Sequence, residues 1–500
     1  MAFSHIQFVG SLADVLVEAG HEVHMLMLNV DPKLANYSGT SKVKKIIRID
    51  RPESRHNVVD QLLDLTDPFL GVQNSLSGFS EIVELEAGFC EDLVNNKALM
   101  TQLKAENYDV GIAELYGPCS AAIFHHIGVK TSIGALAIHL ITTVSSPFGI
   151  PVISSYVPNM VWPNINGPNM NFWERAMNFF IDTHDTLNLR DYGQKLMQPI
   201  RNYQNVSLVF TNSNEFFELP HPISNKVQYI GGIVKSKAKP ISHEMKSILD
   251  SSDGGVVLLS FGSMTNTSKM SEHMKKSYLT AFAHFPTHDF IWKLKPGDNE
   301  SALFSSTPNV HVVNWFDQKA VLEHPNVKAF MTHCGLNSIN EAALAAVPMI
   351  GIPLFGDQLY NAAVMVNKGI GVFVPIETTD DPQVLIEALD KVLNQQQYKE
   401  NAKVLQKKLK ISPFKPEEKF VKWVEFAAEF PNLNELNLPF DELGVSNRIK
   451  CNFFISPSKY ETCKPISSSD AEESINAIFI QARVVIVDLA VLAACIAEAI

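Results

Sequence analysis

The stretch from Asn314 to Asn361, NWFDQKAVLEHPNVKAFMTHCGLNSINEAALAAVPMIGIPLFGDQLYN, constrains this 500-residue chain more than any other. Val327 to Met331 is a short apolar run that predicts a strand, and Thr332-His333-Cys334-Gly335 predicts a tight polar turn. Asn337 and Ser338 stand where a helix would begin, Glu341 to Ala346 is strongly helix-forming, and Val347-Pro348 ends it before a second buried strand, Met349 to Ile352. Polar residues therefore cluster where a strand hands over to a helix. That is the carboxyl edge of a parallel sheet, where open α/β folds bind ligands.

Unpaired N–H groups and the helix dipole at such an edge suit a phosphate, and His333, Gly335, Asn337 and Ser338 would face it. Gly335 would let the backbone approach the ligand closely. Upstream, Trp315 offers a flat π-face for a base. Downstream, Glu341, Asp357 and Gln358 offer partners for hydroxyls. An aromatic plate, a phosphate pocket and hydroxyl acceptors, in that order, describe a nucleotide-sugar site.

The ordered set W-x-x-Q, H-P, T-H-C-G-x-N-S-x-x-E-A, V-P-M and D-Q-x-x-N resembles the signature of the UDP-glycosyltransferases (glycosyltransferase family 1), most closely the animal UDP-glucuronosyltransferases. Two departures are read as mild: Cys334 where many members carry a second glycine, and Ala346 where glycine usually precedes Val-Pro. The resemblance implies a GT-B architecture, two Rossmann-like domains facing across a cleft. Alternation of strands and helices in two successive blocks, joined by a linker, points the same way. In that architecture Trp315 would stack on uracil, Gln318 would lie near the base or ribose, and Glu341 would bind ribose hydroxyls. Ser263, His333, Asn337 and Ser338 would bind the diphosphate, with Gly335 in close approach, and Asp357 and Gln358 would bind the sugar.

The family's S-H-x-x-F segment places the catalytic base at His5, just before a helix predicted over Phe8 to Ala19 and ended by Gly20. The chemistry agrees, because an attacking hydroxyl must lose its proton and histidine titrates near neutrality. Tyr108 to Ala113 predicts a buried strand with Glu114 at its end, where the family holds an aspartate that orients the histidine. Glu114 is one methylene longer and can still accept the imidazole N–H. Phe261-Gly262-Ser263 ends another buried strand in a glycine turn suited to phosphate.

The expected domains are 1–234 for the acceptor, 235–253 as a linker, 254–415 for the UDP-sugar, 416–444 as a helix returning toward the first domain, and 445–500 as a divergent tail of unassigned role. Family members carry an apolar strand directly before the histidine. Here it is expected to be absent or a stub, leaving an unpaired sheet edge. Phe172, Trp173, Phe179 and Phe180 are read as core packing ahead of a membrane-facing or acceptor-facing role. No signal peptide is expected at Met1 to His5. The apolar run Ile475 to Ile500, interrupted by Arg483, Asp488 and Glu498, is read as not spanning a membrane.

Hydrophobic residues at 46% and charged residues at 19% fit a globular chain with a large core, and a net charge of −12 disfavours nucleic acid as a partner. The six cysteines, at 90, 119, 334, 451, 463 and 495, suggest neither a zinc site nor a disulfide framework. Sequons occur at Asn36, Asn205, Asn266 and Asn299.

The expected reaction is an inverting, metal-independent transfer of a sugar, glucuronic acid before glucose, to a hydroxyl of a small lipophilic acceptor. No cofactor is expected beyond the UDP-sugar co-substrate, and no D-x-D carboxylate pair is present to hold a metal. A non-catalytic UDP-sugar-binding protein is the alternative of another class. The resemblance further implies the lumenal side of the endoplasmic reticulum membrane and allows a homo-oligomer.

Overall fold

The structure is a computed structural model that describes residues 3–29, 34–50, 69, 88–115, 119–145, 148–160, 164–195, 206–234, 240–263, 265–295, 301–438 and 483–488. The loops read around Pro52 and Pro68, the sequons at Asn205 and Asn299, and all of the 445–500 tail except 483–488 lie outside the described residues.

Two parallel sheets organise the chain. The first holds β1 (Glu22–Asn29), β2 (Lys45–Asp50), β3 (Val110–Glu114), β4 (Thr131–Leu136), β5 (Val206–Thr211), β6 (Val227–Tyr229) and β13 (Arg483–Asp488), in the order β2-β1-β13-β3-β4-β5-β6. The second holds β7 (Val256–Ser260), β8 (Asp289–Lys293), β9 (Val310–Val313), β10 (Val327–Thr332), β11 (Met349–Gly351) and β12 (Gly371–Phe373), in the order β12-β11-β10-β7-β8-β9. β3, β5 and β7 are buried along their whole length, which is why they read as continuous apolar runs rather than alternating ones. In the second sheet the order reverses between β7 and β10. The ligand crevice of an open α/β sheet opens at such a switch point.

The expected unpaired edge does not exist. The last described segment, Arg-Val-Val-Ile-Val-Asp, fills the slot between β1 and β3 in parallel register, pairing Val484 with Val23 on one side and with Val110 on the other. Its β-branched residues suit a strand buried on both faces, and Val484, Val485 and Ile486 are buried. Residues assigned above to a divergent tail therefore form an interior strand of the first sheet.

Helix α1 (Phe3–Glu18) begins earlier than the Phe8 start predicted, so His5 lies in its first turn rather than before it. The buried stripe Ile6, Val9, Leu12, Ala13 and Leu16 explains the extension, since Ile6 continues the apolar face one turn further. The region taken as a polar linker contains a helix, His243–Ser251, capped by the Ser242 hydroxyl. Phe172, Trp173 and Phe180 are exposed and do not pack in the core. Cys90 and Cys119 form a disulfide, with Cα atoms 5.4 Å apart.

After the second sheet the chain returns. Helix α4 (Pro416–Glu429) buries Phe420, Val424 and Ala427 in the first lobe's core, with the Phe420 ring 4.8 Å from that of Phe210. The Thr131 hydroxyl donates to the Ala427 carbonyl at 3.0 Å, which ties this strap to β4. Among the described residues, no helix is long and apolar enough to cross a membrane.

Candidate active site

A cavity of about 340 Å³ lies between the lobes, lined by His5, Ala137 and Ile138 of the first and mainly by residues of the second. Ser263, Trp315, Gln318, His333, Gly335, Asn337, Ser338, Glu341, Asp357 and Gln358 all line it. Glu114 stands behind His5.

On the first-lobe side, His5 Nδ1 lies 3.1 and 3.2 Å from the two Glu114 carboxylate oxygens. Glu114 closes β3, is buried, and also accepts the Ala137 N–H at 3.0 Å. A carboxylate at Nδ1 holds the tautomer with the proton on that nitrogen. The lone pair then sits on Nε2, and the imidazolium formed on proton capture is stabilised.

On the second-lobe side, β7 and β10 end side by side, and their turns enclose His333. A Cβ on Gly262 or on Gly335 would fall 2.6 Å from His333 Nε2, so glycine at both positions makes room for the imidazole. Burial, aided by the Lys293 charge, lowers the His333 pKa to about 4, so the ring is neutral at physiological pH and acts as a hydrogen-bonding group. Helix α2 (Leu336–Ala345) starts at Gly335 with no side-chain cap, which leaves its first N–H groups available to an anion. Asn337 Oδ1 accepts from Asn212 Nδ2 of the first lobe at 3.0 Å.

Gln318 Nε2 donates to Ser338 Oγ at 3.1 Å and to Glu341 Oε2 at 2.7 Å, linking the residues expected at base, ribose and phosphate. Burial raises Glu341 to about 7, partly opposed by the Gln318 hydrogen bond. Trp315 is 63% exposed and lines the cavity, and Lys293 Nζ, which lines it too, lies 3.9 Å from the indole ring centroid. Helix α3 (Gln358–Asn367) begins after Asp357, whose carboxylate accepts from Asn361 Nδ2 at 2.8 Å. Burial raises the Asp357 pKa, against the hydrogen bond from Asn361 and the charges of His139 and His5. Gln358 Oε1 accepts the Leu354 and Phe355 N–H groups at 2.9 and 3.2 Å, so its NH₂ is the part suited to a sugar hydroxyl.

Sequence reasoning missed Lys293 and Asn212. Lys293 closes β8 beside β7, donates to the Gly262 carbonyl at 3.0 Å, and is lowered to about 8 by burial. Its signal was the run Phe290 to Lys293, a buried strand ending in a cation at the same carboxyl edge.

The family described as UDP-glucoronosyl and UDP-glucosyl transferase matches residues 1–430. The chain belongs to that family. Its relatives include human UDP-glucuronosyltransferase 3A2, 28% identical over 448 residues covering 84% of this chain and 82% of the relative. Rat UDP-glucuronosyltransferase 2B17 is 31% identical over 455 residues, covering 85% and 82%. Among solved structures, Os79 from O. sativa in complex with U2F and trichothecene superposes with a TM-score of 0.57 at 17% identity, covering 83% of this chain and 96% of that one. Phytolacca americana UGT2 complexed with UDP-2fluoro-glucose and pterostilbene gives 0.57 at 17% identity, covering 85% and 96%. The fold is GT-B, and this transferase is an enzyme of the UDP-glycosyltransferase type.

The two glycine departures of this transferase carry a backbone cost. Cys334 and Ala346 both adopt left-handed conformations, with φ of 64° and 55°, a region that disfavours a Cβ by about 1–2 kcal/mol. Ala346 ends α2, where Val347 N–H donates to the Ala342 carbonyl at 2.9 Å, so the turn forms despite the methyl group. The Cys334 side chain is buried, and burial raises its thiol pKa.

Proposed function

We propose that this enzyme transfers a sugar, glucuronic acid in preference to glucose, from a UDP-sugar to a hydroxyl of a small lipophilic acceptor, with inversion and without a metal. The observation that carries the reading is that the His5–Glu114 pair and the phosphate-facing turns of β7 and β10 line or back one cavity. The acceptor oxygen attacks the anomeric carbon and its proton passes to His5. The bond from that carbon to the β-phosphate oxygen breaks, and its electron pair leaves with UDP. The N-terminus of α2, the Lys293 ammonium and a neutral His333 N–H supply stabilisation for the leaving diphosphate. The names of the relatives favour glucuronate.

The Cys90–Cys119 disulfide favours an oxidising compartment, in keeping with the lumenal side of the endoplasmic reticulum. The functional test is UDP release with phenolic acceptors, comparing UDP-glucuronate with UDP-glucose in the presence of EDTA. Turnover with UDP-glucuronate that EDTA leaves intact is expected. UDP binding without turnover on either donor would favour a non-catalytic binder, and an absolute need for added Mn²⁺ would contradict the metal-free reading.

A further inference from the structure

Apart from the cavity lining, a concentrated set of buried polar side chains lies where the lobes meet. His139 follows β4, Glu218 lies between β5 and β6, and Tyr360 sits in the first turn of α3; all three are buried. Glu218 Oε1 accepts the Tyr360 hydroxyl at 2.8 Å and the Leu219 N–H at 2.9 Å, while Oε2 meets His139 Nδ1. The His139 and Tyr360 rings are 5.1 Å apart, and His139 Nε2 is buried with no hydrogen-bond partner among the described residues. Thus a single carboxylate of the first lobe holds one side chain from each lobe.

The location matters more than the strength. Buried ionic groups contribute little net stability, since desolvation offsets their attraction and apolar replacements are often no less stable. They do impose one geometry. Tyr360 lies three residues after Asp357 and two after Gln358, on the helix that begins with those residues. The His139 charge is also felt at Asp357. Whatever fixes Tyr360 against the first lobe fixes the sugar-facing end of α3 against His5.

We propose that Glu218 is a positioning residue for transfer: by tying Tyr360 of the donor lobe to His139 of the acceptor lobe, it sets Asp357 and Gln358 at a fixed distance from the His5–Glu114 pair. The inference rests on the UDP-sugar reading above. The anomeric carbon must sit between those two groups, and a displacement of about 1 Å in such an arrangement can cost as much as 100-fold in rate.

The test uses the full chain with Tyr360→Phe, Glu218→Leu and the double variant. Tyr360→Phe removes only the hydroxyl, and Glu218→Leu removes both carboxylate oxygens, and with them the links to Tyr360 and His139, at similar side-chain volume. Each single variant is expected to lower kcat about tenfold while leaving UDP affinity and binding stoichiometry unchanged, because the base and phosphate residues are untouched. The double variant should fall no further than the worse single one, since both break the same tie. A wild-type kcat in Tyr360→Phe, multiplicative losses in the double variant, or a UDP stoichiometry that falls in step with kcat would overturn the proposal. Absence of both UDP binding and transfer in the wild-type chain would instead overturn the UDP-sugar reading, and this inference with it.

Discussion

Replacing Glu114 by glutamine removes the charge behind His5 while keeping the length of the side chain. The carboxylate meets His5 Nδ1 at 3.1 and 3.2 Å and takes the Ala137 N–H at 3.0 Å. Glutamine keeps a carbonyl oxygen for the Ala137 N–H but loses the negative charge and sets an NH₂ donor against His5 Nδ1, which also disfavours the tautomer with the proton on that nitrogen. That charge matters when His5 takes the acceptor's proton and becomes an imidazolium. His5 lies in the first turn of α1, where the helix dipole disfavours a cation by about 0.3–1 kcal/mol. A carboxylate about 4 Å from the imidazolium, at an effective dielectric constant of about 20, attracts it by about 4 kcal/mol. If half or more of this is realised in the transition state, kcat falls by about 30- to 1000-fold. The assay is the initial rate of UDP release at saturating donor and acceptor, with a UDP titration to show that donor-lobe binding is unchanged. Glu114→Asp should lie between wild type and glutamine, because a side chain one methylene shorter cannot serve both partners from the end of β3. A glutamine variant within about threefold of wild type would refute the role given to the pair, and His5 would not be the base.

Glu341 carries a pH signature. Its carboxyl is raised from 4.5 to about 7 by burial, so the folded state holds a proton that the unfolded state has lost across that window. Stability should therefore fall as pH rises from 4.5 toward 7 and then level off, and Glu341→Gln should be the more stable protein above pH 7 by at most about 3 kcal/mol. Ribose hydroxyls need the ionised form, so UDP affinity should rise through the same window in wild type and stay flat in the variant; matching profiles would place the ribose elsewhere. Ile486→Ala, in the buried interior strand β13, should cost about 2–5 kcal/mol in urea unfolding. Deleting 445–500 removes, among the described residues, the three buried aliphatic side chains Val484, Val485 and Ile486, worth about 5–9 kcal/mol, and exposes the edges of β1 and β3. That loss is comparable with the whole stability of a domain, so the first lobe should not fold; a deletion variant with normal unfolding and normal turnover would show that β13 is dispensable.

The donor half of the site was legible in the sequence because its chemistry is local. A strand, a polar turn and a helix start lie within a dozen residues from Val327 to Ser338, and the ligand-facing groups are the turn itself. What depends on pairing across long separations was hidden. The strand Arg483–Asp488 is short and apolar, and nothing within it shows that it inserts between strands beginning at Glu22 and Val110. The same holds for Cys90–Cys119 among six scattered cysteines, and for Lys293, a lysine at the end of one of many strands until β8 is seen beside β7. Phe172, Trp173 and Phe180 misled because large apolar side chains favour the interior without requiring it. Cys334 and Ala346 looked benign because side-chain chemistry says nothing about φ.

The central claim is that UDP spans the mouth of the second sheet from Trp315 to the start of α2. A crystal structure of the full chain soaked with UDP tests it most directly. The account predicts uracil stacked on the Trp315 indole, ribose hydroxyls on Glu341, and the diphosphate against Ser263, His333 and the first N–H groups of α2. UDP bound away from that cavity, or a cavity left empty at saturating UDP, would contradict it.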